Sequence, residues 1–481
     1  MKKAIALMLI LCMAVSFAAC GTENKPADGT SSASVKHEVA GEIAGEISIS
    51  CYDTMQYKAF LEAAANLFMA KYPGTKVTIK TFSTMPEVKV MEKDGATVMS
   101  SEITDDPVAR ADYLSKLNTE LIGGGGADLL ALDILPIERY AKNGQFAPLD
   151  EFMNSDPDFH PEDYRQNILE AVKQGGHTVF LPTDYSFNYA TFDKSLFTPE
   201  QAETLKNEGT FTYAGLISSA EGAFASANAG ADKKIRMLEQ SARFLFGALW
   251  DENYSKFINF ADRTANFTDG SFAALLEAVK GYADKGYIFS DENAEIISGQ
   301  QVFFRVKSDM SLAYDLDYNK VSPIQFFDGG SENDIIGGIQ ANADGNIPFR
   351  FFRGYAMNAN SKNQRTAWEF LKFLLSEEMQ LSVDGMGLPI NNAARAKKAE
   401  MSIDGSLYGE KTPMTEGMQN LLAEYQAAVE RFSDRINAYP LADSTISAMI
   451  REETAHFFDG AKTASEVCEA LQSRVNLYLG E

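Results

Sequence analysis

The chain has 481 residues, 45% of them hydrophobic and 23% charged, with a formal net charge of −24 at pH 7. So acidic a balance argues against nucleic acid as a partner and against a polybasic membrane contact. The four histidines lack metal-site spacing and the four cysteines, Cys12, Cys20, Cys51 and Cys468, are no disulfide framework, so stability rests on a large apolar core, and the length suffices for two domains.

At the N-terminus, Met1-Lys2-Lys3 precedes an apolar run from Ala4 to Val15 and then Phe17-Ala18-Ala19-Cys20-Gly21. A basic start, a short apolar core and small residues before a cut describe a secretory signal, too short for a spanning helix. The small residues leading into Cys20-Gly21 resemble the bacterial lipobox, with Phe17 where a leucine is usual. That resemblance makes residues 1–19 the signal and Cys20 a lipid-modified first residue; an ordinary signal peptide cut nearby is the alternative. Residues 20–45 are poor in large apolar side chains and read as a disordered tether, its reach roughly 25–30 Å.

Glu46–Cys51 reads as a first strand, ending in Tyr52-Asp53. A helix carrying Phe60, Ala63, Ala64, Leu67 and Phe68 on one face stops at Tyr72-Pro73-Gly74, and Lys76–Phe82 returns as a strand, completing a βαβ unit. Residues 83–107 are polar and irregular, and no element is assigned to them. Leu114, Leu117, Leu121 and Ile122 recur at helical spacing up to Gly123, a residue suited to the left-handed cap, at the head of a four-glycine run. No Gly-Lys-Ser/Thr follows, so the run is not a phosphate loop. Leu129–Leu132 is a continuous apolar segment, the pattern of a central strand in a parallel sheet covered on both faces. Asp133 stands at its carboxyl end, where ligands of open α/β sheets collect. It either accepts hydrogen bonds from a ligand or caps the helix starting near Pro136.

Pro161–Gln174 reads as a helix, and Gly175-Gly176 turns the chain into a strand at Thr178–Leu181. The run Pro182-Thr183-Asp184-Tyr185, continuing through Phe187 and Tyr189, reads as a segment passing between domains along a cleft; its aromatics serve the cleft or the core. From Pro199 to Ser290 the pattern is mostly helical, with Arg236–Phe257 as one helix carrying Leu245, Leu249 and Trp250. Trp250 ends an apolar stripe and either packs or stacks on a ligand. Gln300–Leu316 reads as a strand and helix returning to the first domain; its Asp315-Leu316-Asp317-Tyr318-Asn319 starts like a calcium loop but lacks the glycine and closing glutamate, so no metal site is expected. Phe349–Met357 runs through Arg353, Gly354 and Tyr355. Helices follow over Gln364–Leu381, where Ala367, Phe370, Leu371, Leu374 and Leu375 surround a packing residue, Trp368, and then over Gly417–Ile436 and Ile446–Leu479.

Three blocks together resemble the extracellular solute-binding proteins of ABC importers, in the group that includes maltodextrin- and other sugar-binding lipoproteins. One is Phe68-Met69-Ala70-Lys71-Tyr72-Pro73-Gly74; another is Leu117–Phe152, in which Gly126-Ala127-Asp128-Leu129 stands where the family has Gly-Pro-Asp-hydrophobic. The third combines Tyr355-Ala356-Met357-Asn358-Ala359-Asn360-Ser361-Lys362, Ala367-Trp368-Glu369-Phe370-Leu371-Lys372-Phe373-Leu374, Ser376-Glu377-Glu378 and Leu388-Pro389-Ile390-Asn391. The resemblance implies an α/β protein of the two-lobe type II periplasmic-binding kind, with strands crossing near Pro182–Tyr189, Ser298–Val306 and Arg350–Tyr355 and a hinged cleft between lobes. Lobe one then holds residues 46–184 and 306–349, and lobe two 185–305 and 350–481.

The same resemblance implies a membrane-anchored monomer, without cofactor or catalysis, that captures a carbohydrate and presents it to ABC permease subunits at the extracellular face of the membrane. A sugar cleft needs carboxylates and amides for hydroxyls and flat aromatics for the ring face. The residues at strand ends or crossings that suit this are Tyr52, Asp53, Asp133, Asp184, Tyr185, Trp250 and Arg353. Two other classes stay in view: a sensor-feeding or peptide-binding lipoprotein of the same fold, and a surface glycoside hydrolase, which also uses paired carboxylates but for which no nucleophile motif is present.

Overall fold

The computed structural model describes residues 43–52, 57–82, 89–93, 96–100, 107–206, 209–230, 235–289, 301–308, 334–381, 387–404, 416–439 and 442–480. The βαβ unit is present. Strands Gly45–Cys51 and Thr75–Thr81 pair in parallel from Gly45 opposite Thr75 to Cys51 opposite Thr81. The helix between them, Tyr57–Lys71, buries Tyr57, Phe60, Leu61, Ala64, Ala65 and Phe68. Its inner face is rotated from the expected one, and Leu67 is left 41% exposed.

The first sheet runs Thr75–Thr81, Gly45–Cys51, Leu129–Ala131, Gly354–Met357, Phe180–Pro182. Leu129–Ala131 is parallel to Gly45–Cys51, as a buried apolar run in an α/β sheet suggests. The late strand Gly354–Met357 inserts antiparallel between Leu129–Ala131 and Phe180–Pro182. Helix Pro107–Ile122 ends in the glycine run, but the left-handed residues are Gly124 (φ 71°) and Gly126 (φ 97°) rather than Gly123. The Gly124 and Gly125 N–H groups bond back to the Leu121 and Glu120 carbonyls, so the cap falls one residue later than expected.

The motif blocks interlock behind this sheet. Asp128 accepts from Ser48 N at 2.8 Å and Ser361 Oγ at 2.7 Å, while Asn358 Nδ2 donates to the carbonyls of Gly125 (2.9 Å) and Ala127 (3.0 Å). Trp368 is fully buried against Phe152 and Phe159, and its Nε1 donates to Asp156 at 2.7 Å. It is a packing residue, as its helical face suggests.

The second sheet runs Thr210–Phe211, Asp334–Gln340, Asn188–Asp193, Val302–Ser308, Arg236–Leu238. Gly338 permits one close approach in it: a Cβ there would lie 2.5 Å from the Gly209 carbonyl oxygen. Each sheet has its own core. One gathers Tyr57, Phe68, Phe180, Tyr355, Trp368 and Phe432, and the other Phe192, Leu249, Trp250, Phe303, Ile450 and Leu471.

The strand pairing redraws the expected lobe boundaries. Val302–Ser308 and Asp334–Gln340 flank Asn188–Asp193 in the second sheet, so neither returns to lobe one, and no crossing occurs at Ser298–Val306 within the described residues. Gly354–Met357 and the helix Gln364–Leu374 belong to lobe one. Among the described residues, the chain crosses at 183–187, at 341–353, and between Ile436, in the first core, and Ile446, in the second. The helices Ser444–Phe458 and Ala464–Gly480 thus close lobe two, whereas Glu416–Ser433 serves lobe one. The two cysteines outside the N-terminal segment, Cys51 and Cys468, are buried thiols in different cores, not joined by a disulfide.

Candidate functional site

The crossings lie side by side. Ser186 and Arg350 exchange both backbone hydrogen bonds at 2.7 Å, Thr183 N donates to the Arg353 carbonyl at 2.9 Å, and Phe349 N donates to the Ala438 carbonyl at 3.1 Å. The link between the lobes is therefore a ribbon of three chain segments, a geometry suited to hinge closure.

Alternation along the first crossing gives it two faces. Tyr185, Phe187 and Tyr189 point toward helix Glu416–Ser433. Tyr185 Oη donates to Ser433 Oγ (3.0 Å) and accepts from Arg165 Nε (3.3 Å), Phe187 meets Phe432 edge-on, and Tyr425 Oη lies 2.8 Å from Tyr189 Oη. Asp184, Ser186 and Asn188 occupy the opposite face. Ser186 and Asn188 line a pocket with Asp251 and Glu252 of helix Ala242–Phe257, Gln340 and Asn342 at the end of a lobe-two strand, and Pro348–Arg350 of the second crossing.

A polar chain orders this pocket. Asn188 Nδ2 donates to Gln340 Oε1 at 2.6 Å, Gln340 Nε2 donates to Glu252 Oε1 at 3.0 Å, and the same oxygen accepts from Tyr213 N at 3.1 Å. Glu252 is only 4% exposed, and burial pushes its carboxyl up to about 7 despite those donors. At the rim Arg350 Nη2 donates to Asp251 Oδ2 at 3.1 Å, both side chains more than a third exposed. Their open donors and acceptors suit a polar ligand; the pair itself adds little stability.

A family profile described as "Bacterial extracellular solute-binding protein" matches residues 101–407, more than half of the chain. The chain belongs to that family. Among solved structures, an extracellular solute-binding protein family 1 member from Alicyclobacillus acidocaldarius shares 14% identity at a TM-score of 0.55, covering 92% of this chain and 100% of its own. The ABC substrate-binding protein Lmo0181 from Listeria monocytogenes in complex with cycloalternan shares 16% identity at a TM-score of 0.52, with 90% and 99% covered. A periplasmic oligogalacturonide binding protein from Yersinia enterocolitica shares 13% at a TM-score of 0.53, with 91% and 99% covered. At such identities the likeness is one of fold: two α/β lobes. No curated protein matches.

In this solute-binding protein the residues chosen from sequence scatter over several environments. Asp184 is 4% exposed and internally used: Phe352 N donates to Oδ1 at 2.7 Å, and Thr183 Oγ1 and Arg353 Nε approach Oδ2 at 3.2 and 3.4 Å. Burial raises its carboxyl in spite of Arg353. The Arg353 guanidinium also lies over the Phe60 ring, 4.5 Å from its centroid, joining the second crossing to the first helix of lobe one. Asp133 is half-buried and accepts from Ile134 N at 3.2 Å. Helix Ile137–Lys142 begins at Pro136 without a side-chain cap, so capping is not its role. The charges of Asp133 and Asp184 both reach Tyr57 and Tyr355, adding to the burial that holds these phenols well above the usual range. Asp133, Asp184 and Arg353 are thus neighbours at the carboxyl end of the first sheet.

Tyr52 is buried, stacked with Phe82 and tilted against Tyr113. Tyr185 sits on the helix-covered face of the crossing. Trp250 is 2% exposed and clustered with Phe257 and Phe267, near-parallel rings that also contact each other, in the core of lobe two, which is the packing alternative. Asp53 lies outside the described residues. Ser186, Asn188, Asp251, Gln340 and Arg350 line the pocket without having been expected there from the sequence. The one signal for them was the period-2 alternation after Asp184, which puts Ser186 and Asn188 on its face; the others are gathered only by the fold.

Proposed function

We propose that this solute-binding protein is the membrane-anchored substrate-binding component of an ABC importer, capturing an oligosaccharide between its lobes and delivering it to the permease. One observation carries the reading: the polar pocket of Ser186, Asn188, Asp251, Gln340 and Arg350 is shared by two crossing segments and lobe two, where closure would surround a ligand. Sugar hydroxyls both donate and accept, and the rim offers amides, a hydroxyl, a carboxylate and a guanidinium. The fold neighbours named for cycloalternan and oligogalacturonide support the ligand class. Asp133 and, beyond the described residues, Asp53 are the further contacts we assign; Asp184 and Arg353 brace the hinge.

Binding favours the closed arrangement because only there do both lobes touch the ligand, within the limit of its differential affinity for the two states. Cys20, after the signal-like segment, is the lipid attachment site in this reading, holding a monomeric protein at the extracellular face. The family is one of binding proteins, which supports a non-catalytic role.

A thermal-shift screen of the purified protein against mono- and oligosaccharides, with peptides and polyamines as controls, tests this. A ligand at about 100 times its Kd stabilises the fold by roughly 2.7 kcal/mol. A rise with one glycan class supports capture and identifies that class. A flat sugar panel with a peptide response shifts the assignment to a peptide-binding lipoprotein, and turnover of an oligosaccharide overturns the non-catalytic reading.

A further inference from the structure

A second contact joins the lobes away from the polar pocket. Ser444 Oγ, at the start of the helix Ser444–Phe458, donates to the Ile134 carbonyl at 3.1 Å, and Lys142 Nζ donates to the Phe260 carbonyl at 2.9 Å. The Arg139 guanidinium lies over the Tyr478 ring, 5.2 Å from its centroid. The lobe-one stretch 134–142 thus rests on three elements of lobe two. Two carboxyls belong to this contact, Glu138 on the lobe-one helix and Asp443 just before the lobe-two helix that starts at Ser444, and the Asp443 charge reaches Glu138.

Their surroundings are unequal. Asp443 Oδ1 accepts from Thr445 N and Ile446 N at 2.8 and 3.0 Å, and Oδ2 accepts from Tyr478 Oη at 2.9 Å. Glu138 Oε2 is buried with no hydrogen-bond partner among the described residues. The charged groups around Glu138 are Lys142 and Arg139 on its own helix and Asp443 opposite, with the phenols of Tyr254 and Tyr478 beside Asp443. Lys142, the nearby cation, already donates to Phe260 across the contact. Of the two carboxyls, Glu138 is the one with a buried oxygen that no donor reaches, and the Lys142 charge offsets only part of that cost.

We propose that this contact is a proton-operated latch: protonation of Glu138 holds the lobes together here, and its ionisation loosens them. Burial first, and the Asp443 charge second, push the Glu138 carboxyl up to about 7, from an ordinary value of 4.5. A carboxyl raised in the latched arrangement binds its proton more tightly there. The latch is therefore strongest below the ordinary value and weakens as pH rises through the raised one.

The test needs no sugar. Spin labels at exposed helix positions, Ser115→Cys in lobe one and Ser226→Cys in lobe two, report the interlobe distance by pulsed electron resonance on the ligand-free protein. Between pH 8 and pH 5.5 the ratio of short to long distances should rise about ten- to thirtyfold, since it changes nearly tenfold for each pH unit below the raised value of about 7. With Glu138→Gln the distribution should stay at its low-pH form throughout. The latch is overturned by a distribution that does not move with pH, by a titration midpoint below 5, or by a Glu138→Gln protein that responds as the parent does. The parent titration decides the matter even where the variant folds poorly, and because no ligand is present its failure leaves the sugar-capture reading standing.

Discussion

Asp156 and Asp184 are both 4% exposed, yet their carboxyls move in opposite directions. Burial would raise Asp156, but Trp368 Nε1 at 2.7 Å, Lys372 Nζ at 2.8 Å and Asp158 N at 3.0 Å outweigh it and leave the carboxyl lowered. Asp184 has donors too, but its cation, Arg353, stands at 3.4 Å, and burial wins. Asp184 lies deeper in the molecule, so its burial penalty is larger, and its more distant cation offsets less of it. Asp156 stands behind lobe one, where the packing is meant to stay fixed, and Asp184 stands in the crossing.

The most damaging way to break this pairing is Trp368→Ala, which deletes the largest fully buried side chain together with the Asp156 donor. It should cost about 3–5 kcal/mol, read as a drop in the urea midpoint. Asp156→Asn should cost about 2–3 kcal/mol, less than removing the tryptophan, because Lys372 keeps Glu369 at 3.1 Å. The parent should also lose stability as pH falls below the ordinary value of 3.8 through the lowered Asp156 value, a loss the variant lacks; urea midpoints from pH 5 to pH 2.5 check it.

Asp184→Asn should cost about 1–2 kcal/mol at pH 7: it strips the buried Arg353 of its counter-charge, a loss partly offset by relief of the buried carboxylate and by an amide oxygen that keeps the Phe352 N donor. Its pH response runs the other way. The raised Asp184 carboxyl makes the parent gain from this group as pH falls through the raised value toward 3.8, and the variant should miss that gain. Equal acid slopes in the two variants would end the contrast. Arg350→Ala, which breaks the exposed rim pair with Asp251, should move stability by no more than about 0.5–1 kcal/mol in the same denaturation experiment.

How far the residues announced all this varies with the range of the interactions. The βαβ unit, the glycine stop and the packing role of Trp368 follow from periodicity within a dozen residues, and they were readable. The third motif block was readable as a pattern, though its reason appears only when Asn358 and Ser361 meet the Gly125–Asp128 turn. Lobe membership was not readable, because the apolar Val302–Phe304 run suits either sheet and its partner, Asn188–Asp193, is chosen by non-local pairing. The third crossing escaped notice for a simpler reason: it is a short link between two helices with no strand pattern of its own. Trp250 carried two readings, and only the stacked rings of Phe257 and Phe267 decide how it is used here.

The interleaving of the lobes also sets an order of events for a chain made from its N-terminus. Lobe one lacks an interior strand until Gly354–Met357 exists and a wall of its core until Phe432, while lobe two waits for the helix ending at Gly480. Neither half can finish early, so during synthesis nearly the whole polypeptide remains free of completed tertiary structure. That delay keeps the chain threadable through a narrow passage until its last helices emerge, and it leaves unpaired strand edges open to association for as long.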